Sequence, residues 1–136
     1  MYKTILVPVD LGHADAAGKM IDVAQKVASP GARIALCHVV WDIPEYVMVE
    51  LPADIRQKTE EEAVAKLTAI AEKAGIDPDI HIEHGQPANS INNLADKLGA
   101  ELIVVASHKP GIEDFFIGST AARIVSHAKC CVHVIR

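Results

Sequence analysis

A basic excess is missing from this chain: 13 Lys and Arg stand against 18 Asp and Glu, for a net charge of −5. Nucleic-acid surfaces normally carry the opposite balance, so no nucleic-acid partner is expected and any bound anion must be met by local groups. Also missing is an apolar run approaching the roughly 18 residues that a bilayer span requires, so the protein is expected not to be membrane-inserted. Met1-Tyr2-Lys3-Thr4-Ile5 leads straight into a strand pattern, without a basic n-region, an apolar h-region or a small-residue cleavage site, which predicts a cytoplasmic protein. Cysteine is scarce and odd in number, at Cys37, Cys130 and Cys131. Adjacent Cys130 and Cys131 point to opposite faces of a strand, so reduced, buried thiols are expected instead of a disulfide framework.

Two chemistries lack their parts. There is no Gly-x4-Gly-Lys-Ser/Thr loop, and no nucleophile stands with an evident base and oxyanion donors, so no efficient ATPase or hydrolase is expected. His38, His81, His84, His127 and His133 fall on different elements. Cys131 and His133 share a strand face, but two ligands are short of a zinc site and packing is the simpler role.

What is present is half hydrophobic over 136 residues, enough for one domain spanning 1–136 with a sizeable core. Thr4 to Val9 is a continuous β-branched and leucine run closed by Asp10, as suits a strand buried on both faces. Ala17, Met20, Ile21, Ala24, Val27 and Ala28 recur at helical spacing until Ser29-Pro30-Gly31, and a second strand runs from Arg33 to Val40. Trp41 to Pro52 breaks the rhythm and reads as a surface insertion or as a lid or partner surface. A helix is expected over Ala53 to Ala74, lined by Ala63, Leu67, Ile70, Ala71 and Ala74 and stopped by Gly75, with Glu60, Glu61, Glu62, Lys66, Glu72 and Lys73 as a solvated face. Asp79 to His84 makes a short strand with Ile80 and Ile82 on one face. After Gly85-Gln86-Pro87, Ile91, Leu94, Ala95 and Leu98 mark a helix that ends at Gly99. Leu102 to Ala106 is a buried strand, Ala122, Ile124 and Val125 lie on a last helix, and Cys130 to Ile135 is the last strand.

The stretch Glu101 to Arg123 carries the chemistry. A buried strand runs into Ser107-His108-Lys109, and a helix opens at Gly118-Ser119-Thr120. Helix N-termini attract anions through unpaired N–H groups and the macrodipole, so a phosphate site is one reading. The other is plain capping, since Ser and Thr are good N-caps and Gly suits a tight turn.

The element order β-α-β-α-β-α-β-α-β implies a parallel α/β sheet with helices on both faces. A spatial order of 3-2-1-4-5 would bring Pro8-Val9-Asp10 and Ala106-Ser107-His108-Lys109 to one crevice, where ligands of such sheets bind. Asp10 then reads as a ribose or metal partner, or as a cap of the first helix. The flavodoxin-like order 2-1-3-4-5 is the alternative. A response-regulator receiver of that order needs an Asp after strand three, where His84-Gly85-Gln86 stands, and a Lys after strand five, whereas Lys129 precedes it.

Ile5-Leu6-Val7-Pro8-Val9-Asp10, His38-Val39-Val40, Gly85-Gln86-Pro87, Ile103 to Lys109, Gly118-Ser119 and Cys131-Val132-His133-Val134-Ile135-Arg136 together resemble the universal stress protein family over essentially the whole chain. The resemblance implies a Rossmann-like sheet of order 3-2-1-4-5 with ATP, ADP or AMP, and Mg2+ through the phosphates near Asp10, at the crevice between strands one and four. It implies Pro8, Val9 and Asp10 near ribose and the metal-bridged phosphates, and Val39 near adenine. Ala106, Ser107, His108 and Lys109 would wrap the phosphates, and Gly118, Ser119 and Thr120 would donate to them. The family's nucleotide motif is G-x2-G-x9-G-S/T. Here Ala106 and Lys109 replace its first two glycines and the loop to Gly118 is one residue shorter. Glycine allows close approach and positive φ, which Ala and Lys do not; Lys109 adds a positive charge and Gly111 keeps some loop freedom. Ser107-His108-Lys109-Pro110 is similar to a Ser-His-Arg-Pro variant of nucleotide-binding members. The resemblance also implies a homodimer through Cys130 to Ile135, an edge with no Pro or Lys to discourage pairing. The expected function is a cytoplasmic nucleotide-dependent regulator of partner proteins in stress response, with at most slow ATP hydrolysis. The alternative is a nucleotide-free homodimeric interaction module of the same fold.

Overall fold

The structure is a computed structural model, and it describes residues 1–41, 52–107 and 118–136. Residues 42–51, expected to form most of the insertion, lie outside the described residues, as do His108, Lys109 and Gly111. Five parallel strands, β1 (Tyr2–Pro8), β2 (Ala28–Trp41), β3 (Asp79–Gly85), β4 (Leu102–Ala106) and β5 (Cys131–Ile135), form one sheet in the order β3-β2-β1-β4-β5. The crossovers are a 3-10 turn over Leu11–Ala16 with helix α1 (Ala17–Val27), then α2 (Ala53–Ala74), α3 (Pro87–Leu98) and α4 (Ser119–His127). This is the 3-2-1-4-5 order, and the flavodoxin-like alternative is excluded.

Alternation along the central strands divides the core in two. Ile5, Val7, Leu36 and Val104 face Met20, Ile21 and Ala24 of α1 and Leu67 and Ala71 of α2. Leu6, Ala35, Cys37, Ile103 and Val105 face Ala88, Ile91, Leu94 and Ala95 of α3 and Ala121 and Ile124 of α4. Both faces being covered is why β1 and β4 read as unbroken apolar runs. Gly75, in the left-handed region at φ +73, stops α2, and the following Ile76 N–H reaches back to the Ala71 carbonyl. The Gln86 side chain accepts from the Asn89 N–H to start α3, with Pro87 as the first helical residue.

Three expectations are corrected. Helical spacing carried α1 through Ala28, but Ala28 is extended and pairs with Tyr2. Ser29-Pro30-Gly31 is therefore part of the strand, absorbed by a register shift between Tyr2 and Thr4 with Gly31 at φ +74. The Pro at position 30 rules out continued helix, and regular pairing resumes at Thr4↔Arg33, where the second strand was expected to begin. The buried face of α4 is Ala121 and Ile124, while Val125 stays 45% exposed, because residues three apart share the side that meets the sheet. The cysteines are free, but only Cys37 is buried: Cys130 is half-buried, and Cys131 is exposed on the edge strand.

Burial pushes the Cys37 thiol from its ordinary 9.0 up to about 12, with Glu83 adding a smaller push. The thiol stays neutral in the folded chain, while the unfolded chain ionises it above pH 9. The unfolded state then binds fewer protons, so stability falls between pH 9 and about 12, by about 1.4 kcal/mol per pH unit from this group. Urea unfolding at stepped alkaline pH checks this: Cys37→Ala should show a shallower decline than the parent, and parallel declines would refute it.

Candidate functional site

The crevice opens where the two central strands part. β1 and β4 pair only at Ile5↔Leu102 and Leu6↔Ile103, while β4 stays paired with β5 as far as Ala106↔Ile135. The chain leaves β1 toward β2 on one side and leaves β4 toward β5 on the other, so the carboxyl ends of these strands flank the point where the crossovers diverge. A cavity of about 500 Å3 lies there, a size ordinary for a small-molecule site.

Its β1 wall is held by backbone bonds. The Val9 N–H donates to the Cys37 carbonyl at 2.7 Å, and His38 Nδ1 lies 3.0 Å from the Val9 carbonyl oxygen. A carbonyl only accepts, so Nδ1 is the donor in this bond. Asp10 is exposed and caps the 3-10 turn, its Oδ1 accepting from the Gly12 N–H at 3.0 Å. Its cap role is thus observed, and Asp10 also lines the cavity.

The opposite wall ties β4 to α4. The Ser107 N–H donates to the Ile135 carbonyl at 2.8 Å, and Ser107 Oγ accepts from the Gly118 N–H at 3.1 Å. Gly118 is the N-cap residue, and it has no side chain with which to cap. Ser119 and Thr120 were expected to cap this helix; they are instead its first two residues, and no side-chain cap bond is made. With Gly118's own N–H given to Ser107, the next N–H groups of α4 stand at the positive end of the helix dipole.

Of the residues singled out from sequence, Pro8, Val9, Asp10, Val39, Ala106 and Thr120 line one cavity. Ser107 and Gly118 are joined by their mutual bond but are not among the lining residues, and Ser119 is exposed at the helix start. Sequence reasoning missed the wall made by α2, where Thr59, Glu62 and Lys66 line the cavity. Glu62 and Lys66 read as a solvated face, yet positions 59, 62, 63 and 66 form one helical stripe beside buried Ala63 and Leu67. That spacing was the available signal. His38 and Trp41 were missed as lining residues too. Lys66 is the one Lys or Arg lining the cavity among the described residues.

No group of three or more His, Cys, Asp or Glu able to hold a metal occurs among the described residues. Mg2+ needs no such cage, because it keeps waters and binds through phosphates and one or two carboxylates; Asp10 fits that role. Among the described residues no helix is long and apolar enough to cross a membrane.

An open, doubly wound parallel α/β sheet with a cavity at its crossover divergence defines the class of this protein. Residues 1–136 match the model of the universal stress protein family, and the chain belongs to that family. It is 32% identical to universal stress protein G of Escherichia coli O157:H7, with 100% of each chain covered. Among solved structures it is similar to the hypothetical protein MJ0577, at TM-score 0.78 and 25% identity, covering 99% of this chain and 96% of that one. It also shares the fold of the universal stress protein from Archaeoglobus fulgidus in complex with dAMP, at TM-score 0.69 and 20% identity, covering 99% and 98%.

Proposed function

We propose that this chain is a cytoplasmic, homodimeric regulator that takes an adenine nucleotide, ATP with Mg2+ in the first place, at the β1/β4 crevice and so alters its action on a partner protein in stress response. The observation that carries the reading is one cavity lined by Asp10 on one side and by Thr120 and Ala121, in the first turn of α4, on the other. Phosphates suit the α4 N–H groups and the hydroxyls of Ser119 and Thr120. Asp10 takes the ribose or the phosphate-bound Mg2+, Val39 lies along adenine, and Pro8 and Val9 form the floor. Ala106 to Lys109 complete the phosphate loop. The dAMP complex of a protein with this fold supports the ligand class.

Thermal unfolding with and without Mg-ATP tests it. ATP at a hundredfold excess over its Kd adds about 2.7 kcal/mol, a rise of several degrees for a chain of this size. Asp10→Asn separates Asp10's two roles, because Asn caps as well as Asp but carries no charge. The variant should melt as the parent does without ligand and lose about tenfold in Mg-ATP affinity, the worth of a charged contact. A parent that gains no stability at millimolar Mg-ATP refutes the nucleotide reading.

A further inference from the structure

We propose that Trp41 is a stacking platform for the base of the bound ligand, so that the cavity recognises its occupant through a planar heteroaromatic ring; this rests on the nucleotide reading above. Trp41 lines the cavity and yet is 65% exposed, an unusual state for the largest apolar side chain. The strand geometry explains this exposure. β1 stops pairing with β2 at Pro8↔Cys37, and β2 runs four residues further, to Trp41. On the side where β1 would continue, residues 38 to 41 therefore border the gap in place of a strand. On the other side Trp41 pairs with Gly85, at φ +131, which presents no side chain to pack against an indole.

Alternation fixes the face. Cys37, Val39 and Trp41 share one side of β2; Cys37 belongs to the core cluster built with α3 and α4, and partly buried Val39 packs against it. Pro87 and Ile91 of α3, with Val105 of β4, line the cavity together with Val39. A flat ring entering this recess meets aliphatic groups inside and the indole at the outer lip. Stacking on an aromatic side chain accepts any base, because every base has a π-face, so Trp41 selects for a ring and not for adenine itself. Larger purine faces should gain more from it than pyrimidines.

Trp41 is the chain's only tryptophan, so its emission reports this one position. The parent, Trp41→Phe and Trp41→Ala are titrated with Mg-ATP, Mg-UTP and Mg-tripolyphosphate, by indole emission in the parent and by calorimetry in all three. Expected are saturable quenching by ATP with the calorimetric Kd, weaker binding of UTP, and no quenching by the base-free tripolyphosphate. Trp41→Ala should lose about tenfold in ATP affinity and Trp41→Phe much less, with tripolyphosphate binding equal in all three. If ATP binds the parent by calorimetry but leaves the emission unmoved and Trp41→Ala binds as tightly, the platform is overturned and the nucleotide reading stands. If calorimetry shows no ATP binding to the parent, the nucleotide reading falls and takes this inference with it.

Discussion

Replacing Leu6 by alanine lowers stability by about 3 kcal/mol, within the range for truncating a fully buried leucine. At this chain length that is a fall in melting temperature on the order of 10 °C. Leu6 is fully buried in the central strand, paired toward β2 at Ala35 and toward β4 at Ile103. Its side chain belongs to the cluster closed by α3 and α4, and the strands on both sides hold its backbone. The site therefore relaxes poorly when four heavy-atom positions of contact are reduced to a methyl, and a cavity persists. Val125→Ala is the control: equally apolar in sequence but 45% exposed, it should change stability by no more than about 0.5 kcal/mol. Equilibrium urea unfolding of both variants reads the difference, and a Leu6→Ala loss no larger than that of Val125→Ala would overturn this account of the core.

That contrast also marks how much of the fold was legible in the residues. Strands at Ile5 and Ile103 announce themselves because burial on both faces leaves no polar position to interrupt the run, and β-α alternation then restricts the sheet to few orders. Helix stops at Gly75 and Gly99 were equally plain, since a left-handed cap selects glycine. The end of α1 was not. Ala28 sits at a helical interval from Ala24, and only its pairing with Tyr2 across the sheet decides that it is strand. The cavity was half visible. Asp10 and Thr120 could be brought together by topology alone, because strand ends and helix starts meet at a crossover divergence. Thr59, Glu62 and Lys66 could not, because a polar stripe looks the same from sequence whether it borders water or a hole in the protein. The Ser119 and Thr120 hydroxyls failed as caps for a local reason: the chain enters α4 with Gly118 in the cap position, one residue earlier than a hydroxyl could serve. Trp41 shows the same limit from the other side, since its exposure depends on how far β2 outruns β1.

Replacing Val134 by proline should convert the proposed dimer to monomers while leaving the sheet intact. β5 is the last strand in the order and, among the described residues, pairs only with β4. The Cys131 N–H donates to Glu101 and the Ile135 carbonyl accepts from Ser107, so the odd-numbered residues of β5 turn their backbone groups toward β4. Because these directions alternate along a strand, Val132 and Val134 turn theirs to the open edge. A second copy related by a twofold axis can place Val134 opposite Val132 and Val132 opposite Val134, giving four N–H···O=C bonds from two residues per chain. Proline at position 134 deletes an outward N–H in each copy and puts a ring into the edge, yet removes no bond of the β4–β5 ladder, which is where proline is tolerated in sheets. Symmetry counts the loss twice. At about 1 kcal/mol per bond plus the obstruction by the ring, the dimer Kd should rise about a hundredfold. Val134→Ala gives up the same packing of a half-buried side chain but keeps the N–H, so it should stay dimeric. Sedimentation equilibrium over a range of concentrations separates the cases: a proline variant that associates like the parent places any dimer contact away from β5, and a monomeric parent removes the dimer altogether.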